Sequence, residues 1–296
     1  TSIGETSVAY DDKMYSATVP ADFETYDQLW EEFLNNTQCW YIYTDNPEDE
    51  TPIWSEPAYH SQGYVRNKST VLKNGTLFIP GYSVKKEGKY QYIIGSDFNK
   101  DLEIKEGPAI VGKKNYDECM ALQREDGSIW FLVRTMTGYL AESSSDDYGE
   151  TWTETKLTEI PNPCTRFSIS RLKNGMVLLV NTPSAKLGDR TGLVASLSMD
   201  DGKTWSYHLR LEDRRSTTYP DVALGEDGSI YVAYDCQRDN RQEPDPQDST
   251  KSIAAKEICM AKFTVEDIME GKFVNPNSYT RKIISKVNFS ERFYMK

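Results

Sequence analysis

The 296-residue chain is 38% apolar and 27% charged, an ordinary balance for a globular protein long enough to bury one large core or two modest ones. Its formal net charge of -12 repels nucleic acid and anionic membranes, so any anionic ligand needs a local basic site. Two histidines, His60 and His208, exclude a multi-histidine metal centre and argue against a Ser-His-Asp triad, and five singly spaced cysteines read as buried thiols rather than a zinc site or disulfide framework.

The N-terminal stretch "TSIGETSVAY" lacks the basic start and apolar middle of a signal peptide, and no apolar run approaches the roughly 20 residues of a membrane helix. "TSVAY" offers at best one strand, and "ADFETYDQLWEEFLNN" (21–36) reads as an acidic amphipathic helix. Residues 1–38 are therefore expected to form an irregular or helical segment, a rebuilt or truncated first blade, ahead of a β-domain over 39–296.

That domain is repetitive. "RNKSTVLKNGTLFIPGYS" (66–83), "ECMALQREDGSIWFLVRT" (118–135), "RFSISRLKNGMVLLVNT" (166–182) and "YPDVALGEDGSIYVAYD" (219–235) each place Asn-Gly or Asp-Gly between two β-rich runs, a hairpin pattern. The turn glycines, Gly75, Gly127, Gly175 and Gly228, are 52, 48 and 53 residues apart. A third strand follows each hairpin ("YQYIIGSD", "GYLAESSSDD", "GLVASLSMDD", "EICMAKFTVEDI"), and a period near 50 with four strands per unit predicts a β-propeller.

Behind two of those third strands the chain writes Ser-x-Asp-x-Gly-x-x-Trp with identical spacing, at Ser145, Asp147, Gly149, Trp152 and at Ser198, Asp200, Gly202, Trp205. The serine and aspartate suit hydrogen bonds to turn backbone, glycine a positive φ, and tryptophan a packed anchor, so the motif is read as a staple between a blade's outer strands. "YIYTDNPEDETPIWSEP" (41–57) and "IIGSDFNKDLEI" (93–104) look like degenerate copies. Five blades are readable in this way, the first only in its outer half. The polar, proline-bearing stretch 235–257 is long for a connection and is expected to rim the channel mouth as a specificity loop, with a plain surface insertion as the alternative.

In a propeller the innermost strands start near the central axis, so aligned positions converge there. Nine residues before the turn glycines stand Arg66, Glu118, Arg166 and Tyr219; seven after them stand Tyr82, Arg134, Thr182 and Asp235. A purely structural repeat would keep one residue type at one position, whereas here cations, a carboxylate and a phenol alternate.

These residues carry a resemblance to the sialidase (neuraminidase) superfamily, whose bacterial members are six-bladed propellers with Asp-box, or BNR, repeats. "NYDECMALQREDGSIWFLVRT" is similar to the stretch where sialidases place a catalytic glutamate and one arginine of a carboxylate-binding triad, which implies Glu118 and Arg134. "GDRTGLVASLSMDDGKTW" resembles the segment of another triad arginine, here Arg190, and "TTYPDVALGEDGSIYVAYD" the segment of the nucleophilic tyrosine, here Tyr219. The chain departs from the pattern at its start: no strand with the first triad arginine precedes residue 39, and the acid/base aspartate is left open among Asp11, Asp12, Asp22 and Asp27.

The resemblance implies an all-β, sialidase-like propeller acting as an exo-acting, retaining glycoside hydrolase on sialylated or other acidic glycans. Tyr219 is the expected nucleophile and Glu118 its base; Arg134, Arg190, Arg166, Arg66 and Asp221 are the expected substrate contacts, and no metal or organic cofactor is implied. A tyrosine suits an anionic substrate, because an aspartate nucleophile would be repelled by the sugar carboxylate that arginine forks clamp. The extra axial arginines leave a glycosidase or lyase on uronate-type glycans as one alternative, and the missing N-terminal elements leave a non-catalytic glycan-binding propeller as another. Work on extracellular glycans, usual in the family, tilts the expected compartment toward secretion or the periplasm.

Overall fold

The computed structural model describes residues 4–10, 13–19, 38–62, 65, 67–82, 89–95, 103–109, 115–236, 243–245, 248–253 and 255–288. β1 (Gly4–Tyr10) and β2 (Lys13–Val19) pair antiparallel, as do β3 (Gln38–Tyr41) and β4 (Ala58–Gln62). Four four-stranded sheets follow: β5 (Thr70–Val71), β6 (Leu77–Tyr82), β7 (Lys89–Gly95) and β8 (Glu103–Ala109); β9 (Asn115–Gln123), β10 (Ile129–Thr135), β11 (Tyr139–Ser145) and β12 (Lys156–Pro161); then β13 (Ser168–Arg171), β14 (Val177–Asn181), β15 (Leu193–Ser198) and β16 (Tyr207–Glu212). The last comprises β17 (Thr218–Leu224), β18 (Ile230–Cys236), β21 (Ala255–Phe263) and β22 (Tyr279–Asn288), with a small hairpin of β19 (Glu243–Asp245) and β20 (Asp248–Ile253) inserted between its second and third strands. The fold is a β-propeller of four-stranded blades, numbered here 2 to 5, and the two-stranded β3–β4 sheet precedes them in the chain.

Two expectations change. The N-terminal segment contains the β1–β2 hairpin rather than one strand at best, its alternating β-rich runs flanking Asp11-Asp12. The helix expected over 21–36 and residues 96–102 of the degenerate copy at 93–104 lie outside the described residues, among which four four-stranded sheets stand where the resemblance implies six blades. "EICMAKFTVEDI" is not all strand: β21 ends at Phe263, and Thr264 caps α1 (Val265–Glu270) in a reciprocal capping box with Asp267. Thus α1 occupies the place where blades 3 and 4 carry the repeated turn.

The four inner hairpins close identically. Each turn glycine adopts a positive φ, 86° at Gly75 and 95° at Gly127, and donates its N–H to the carbonyl three residues back. The Asn or Asp before it accepts from the N–H of the residue after it, at Asn74, Asp126, Asn174 and Asp227. β10 and β14 are buried on both faces because their blades are sandwiched between neighbours, whereas β18 alternates buried and half-buried residues. Phe131 and Val133 of β10 pack with Phe78 and Tyr92 of blade 2, while Trp130 and Leu132 pack with Phe167, Ile169 and Leu179 of blade 4. The core is therefore a set of layers between blades.

The repeated turn works as hydrogen-bond chemistry suggests. Ser145 Oγ donates to Asp147 Oδ1 (2.8 Å) and accepts from Gly149 N (2.7 Å), while Asp147 accepts from the Thr151 N–H (2.8 Å) and hydroxyl (2.6 Å). Ser198, Asp200, Gly202 and Thr204 repeat the set. Its tryptophan, however, reaches back to the preceding blade: Trp152 meets Phe78 and Tyr92 of blade 2 besides Phe131 of its own blade. The glycines press on the same neighbours, since a Cβ on Gly202 would lie 2.4 Å from the Trp130 ring and one on Gly149 2.6 Å from the Tyr92 hydroxyl.

Two stability results follow. Gly202→Ala should lower the urea midpoint by the equivalent of about 3 kcal/mol, combining overpacking with a strained positive φ. Gly228→Ala, where nothing lies within 4 Å, should cost only about 1 kcal/mol. The Thr151 and Thr204 hydroxyls, then the threonine N–H groups and the serines, hold the Asp147 and Asp200 carboxyls down to about 2 from an ordinary 3.8. Groups held lower in the folded state stabilise it above their unfolded value and lose that contribution as pH falls to about 2. The thermal midpoint should accordingly drop between pH 4 and 2, and Asp147→Asn with Asp200→Asn should flatten that slope in a circular-dichroism melt.

Candidate active site

Two irregularities build the site at the start of the inner strands. The β9–β10 register shifts between Val133 and Thr135, beside Arg134. Arg134 Nη1 donates to Glu118 Oε2; both are buried, Arg134 6% and Glu118 1% exposed. Burial alone would weaken the Arg134 charge, but the Glu118 carboxylate, with Cys164 adding to it, more than offsets this and keeps the guanidinium ionised.

On blade 5 the β17–β18 register shifts between Thr218 and Asp221, and Tyr219 sits at φ 54°, a left-handed conformation that costs a non-glycine residue about 1–3 kcal/mol. The strand start is pinned on both sides. Thr218 Oγ1 donates to Asp235 Oδ1, and Thr217 N donates to the Arg190 carbonyl (3.0 Å). Upstream, Arg214 bridges Glu212 (2.7 Å) and Glu257 (2.9 Å), and its carbonyl accepts from Gly192 N (3.1 Å) and Thr217 Oγ1 (3.1 Å). So held, the Tyr219 hydroxyl donates to Glu118 Oε1 at 2.5 Å, joining residues 101 positions apart.

From blade 4, Arg166, 8% exposed, lies with its Cζ 5.8 Å from the centre of the Tyr219 ring and donates Nε to Asn67 Oδ1 (2.5 Å). Asn67 Nδ2 in turn donates to the Cys119 carbonyl (2.6 Å), next to Glu118. Blades 2, 3, 4 and 5 thus all contribute to a contiguous cluster: Asn67 from blade 2, Glu118 and Arg134 from blade 3, Arg166 from blade 4 and Tyr219 from blade 5.

Among the described residues, Arg190 and Asp221 share no hydrogen bond or ion pair with that cluster. Arg190 is half-buried; its backbone is tied to Thr217, and its guanidinium makes no hydrogen bond or ion pair among the described residues. Asp221 faces Lys68 at 3.3 Å, a partly exposed pair in which Lys68 also donates to the Val222 carbonyl. Thr182 turns its hydroxyl to the Gly192 carbonyl (2.9 Å), a structural use. Arg66 and the four candidate acids Asp11, Asp12, Asp22 and Asp27 lie outside the described residues, as does the Tyr82 side chain. All five cysteines are free thiols, three of them buried: Cys119, Cys236 and Cys259. Sequence reasoning missed Asn67, Lys68 and Cys164. Asn67 and Lys68 directly follow the aligned position of Arg66, the one signal that could have drawn attention to them.

Residues 33–232 match the BNR repeat-like domain family. The chain belongs to that family. This BNR repeat-like protein is similar in fold to the NanB sialidase from Streptococcus pneumoniae, with 22% identity over 73% of this chain and 34% of that one at a TM-score of 0.54. The intramolecular trans-sialidase from Ruminococcus gnavus matches with 19% identity over 90% of this chain and 59% of that one, TM-score 0.59. A protein of unknown function from Dyadobacter fermentans matches at 15% identity over 69% and 65%, TM-score 0.51. The chain spans about a third and three-fifths of the two sialidases, and the likenesses establish a sialidase-like propeller. No curated protein sequence matches.

Proposed function

We propose that this BNR repeat-like chain acts on glycans as a retaining glycoside hydrolase of sialidase type, releasing a terminal sialic acid or a related acidic sugar. The observation that carries this reading is the 2.5 Å hydrogen bond from the Tyr219 hydroxyl to the buried Glu118 carboxylate. A neutral phenol beside a carboxylate is a nucleophile with its base in place, and Arg166, Arg134 and Arg190 supply the positive field that a sugar carboxylate requires. The two sialidases that share the fold support the choice of chemistry.

In the first step the Tyr219 oxygen attacks the anomeric carbon while Glu118 takes the phenolic proton, and the glycosidic bond breaks as the leaving oxygen gains a proton from an acid. Water then attacks the anomeric carbon of the glycosyl-tyrosine, giving its proton to the conjugate base of the acid, and the departing phenolate recovers its proton from Glu118. Asp11, Asp12, Asp22 and Asp27 are the candidates for the acid. A fluorogenic sialic acid glycoside should be hydrolysed with retention, read by proton NMR of the first product anomer. Release from a glucuronide instead would assign the uronate alternative, and turnover of neither would overturn the proposal.

A further inference from the structure

Of the two arginines buried among the described residues, Arg166 presents a charge problem that Arg134 does not. Arg134 has Glu118, Arg171 has Asp201, Arg214 has Glu212 and Glu257, and Arg281 has Glu212 and Asp213. Arg166 is almost as buried as Arg134, yet its partners among the described residues are neutral: the Asn67 amide and the Tyr219 ring. A guanidinium taken out of water without a counter-charge is costly, and a resident carboxylate is the usual remedy.

The orientation of Asn67 bears on this. Its NH2 donates to the Cys119 carbonyl, which turns the amide oxygen toward Arg166 Nε. The contact uses one donor on the side of the guanidinium and leaves the edge with both Nη atoms without a partner among the described residues. That edge can grip two coplanar oxygens at once. Arg134, by contrast, already spends Nη1 on Glu118.

We propose that Arg166 is the principal anchor for the anionic group of the glycan, and that Asn67 makes it so by holding the guanidinium in place without neutralising it. The inference rests on the reading that this site receives an acidic glycan, and it assigns the missing counter-charge to the substrate. The ligand chemistry is a compact oxyanion, a carboxylate or a sulfate. Asn67 is then a specificity-determining residue, since an aspartate in its place would supply from within the charge that the substrate should bring.

The test is calorimetric titration of the full chain with N-acetylneuraminate, glucuronate and inorganic sulfate, each in turn. Wild type should bind at least one of the three. Asn67→Asp, checked as folded by its thermal melt, should weaken that binding at least about tenfold, and Arg166→Lys, which keeps the charge but loses the fork, should weaken it as well. Lys105→Gln, on the outer strand of blade 2 where Lys105 pairs with Glu150, should bind as wild type does. Undiminished binding by folded Asn67→Asp, or no binding of any probe by wild type, would overturn the anchor. The outcomes also separate this inference from the reaction. Binding lost in Asn67→Asp, with no glycoside turned over by wild type, leaves the anchor standing and removes the hydrolase. Turnover whose KM is unchanged in Asn67→Asp does the reverse.

Discussion

Tyr219→Phe should reduce kcat on a fluorogenic sialic acid glycoside by about a thousandfold or more while leaving KM within a few-fold of wild type. Only one oxygen is lost: the ring that lies against Arg166 at 5.8 Å remains, so the surface offered to the substrate is nearly unchanged. What disappears is the atom that attacks the anomeric carbon, and removing a covalent nucleophile acts on the transition state rather than on ground-state binding. The left-handed backbone of residue 219 is set by the shifted β17–β18 register and the Thr217 and Thr218 hydrogen bonds, none of which involves the phenol. The melting temperature should therefore stay close to wild type. A variant that keeps most of its kcat would remove Tyr219 from the chemistry.

Glu118→Gln should strike both rate and stability. A glutamine of the same shape can no longer accept the phenolic proton, and losing a general base costs about 10²–10⁴ in kcat. It also strips Arg134 of its carboxylate. With Glu118 at 1% and Arg134 at 6% exposure, this is a buried pair, and removing one partner costs about 3–5 kcal/mol. The double effect is diagnostic, because Tyr219→Phe should show the kinetic half alone. Denaturant titration beside steady-state kinetics on both variants checks it; an unchanged stability for Glu118→Gln would mean that Arg134 finds its counter-charge elsewhere.

Much of this architecture was legible because the repeat imposes the same local chemistry four times. Asn-Gly and Asp-Gly between β-rich runs located the inner hairpins of the four described blades, and counting outward from those glycines brought Glu118, Arg134, Arg166 and Tyr219 to one end of the channel. The structure joins all four. Counting could not reveal Asn67, because an amide next to an aligned arginine looks like ordinary strand polarity until its two hydrogen bonds across blades are seen. The pairing of Asp221 with Lys68 was equally hidden, because Lys68 comes from another blade and local spacing cannot anticipate it. The α1 helix was missed although Thr264-x-x-Asp267 is a capping signature; the apolar run before it read as continuing strand. The direction of the tryptophan anchors was also invisible, since sequence fixes where a side chain starts but not which neighbour it meets.

That direction has a consequence for how the protein is made. Trp152 and Gly149 of blade 3 bear on Phe78 and Tyr92 of blade 2, and Gly202 of blade 4 bears on Trp130 of blade 3. Each clasp therefore joins a newly synthesised unit to one that left the ribosome earlier, and none waits for residues still to come. Long-range pairing, ordinarily the slow step for all-β topologies, is reduced to a sequence of short searches between consecutive units. The chain can be laid down in ratchet fashion, blade upon finished blade, before Tyr219 arrives from the last described blade to meet a Glu118 already in place.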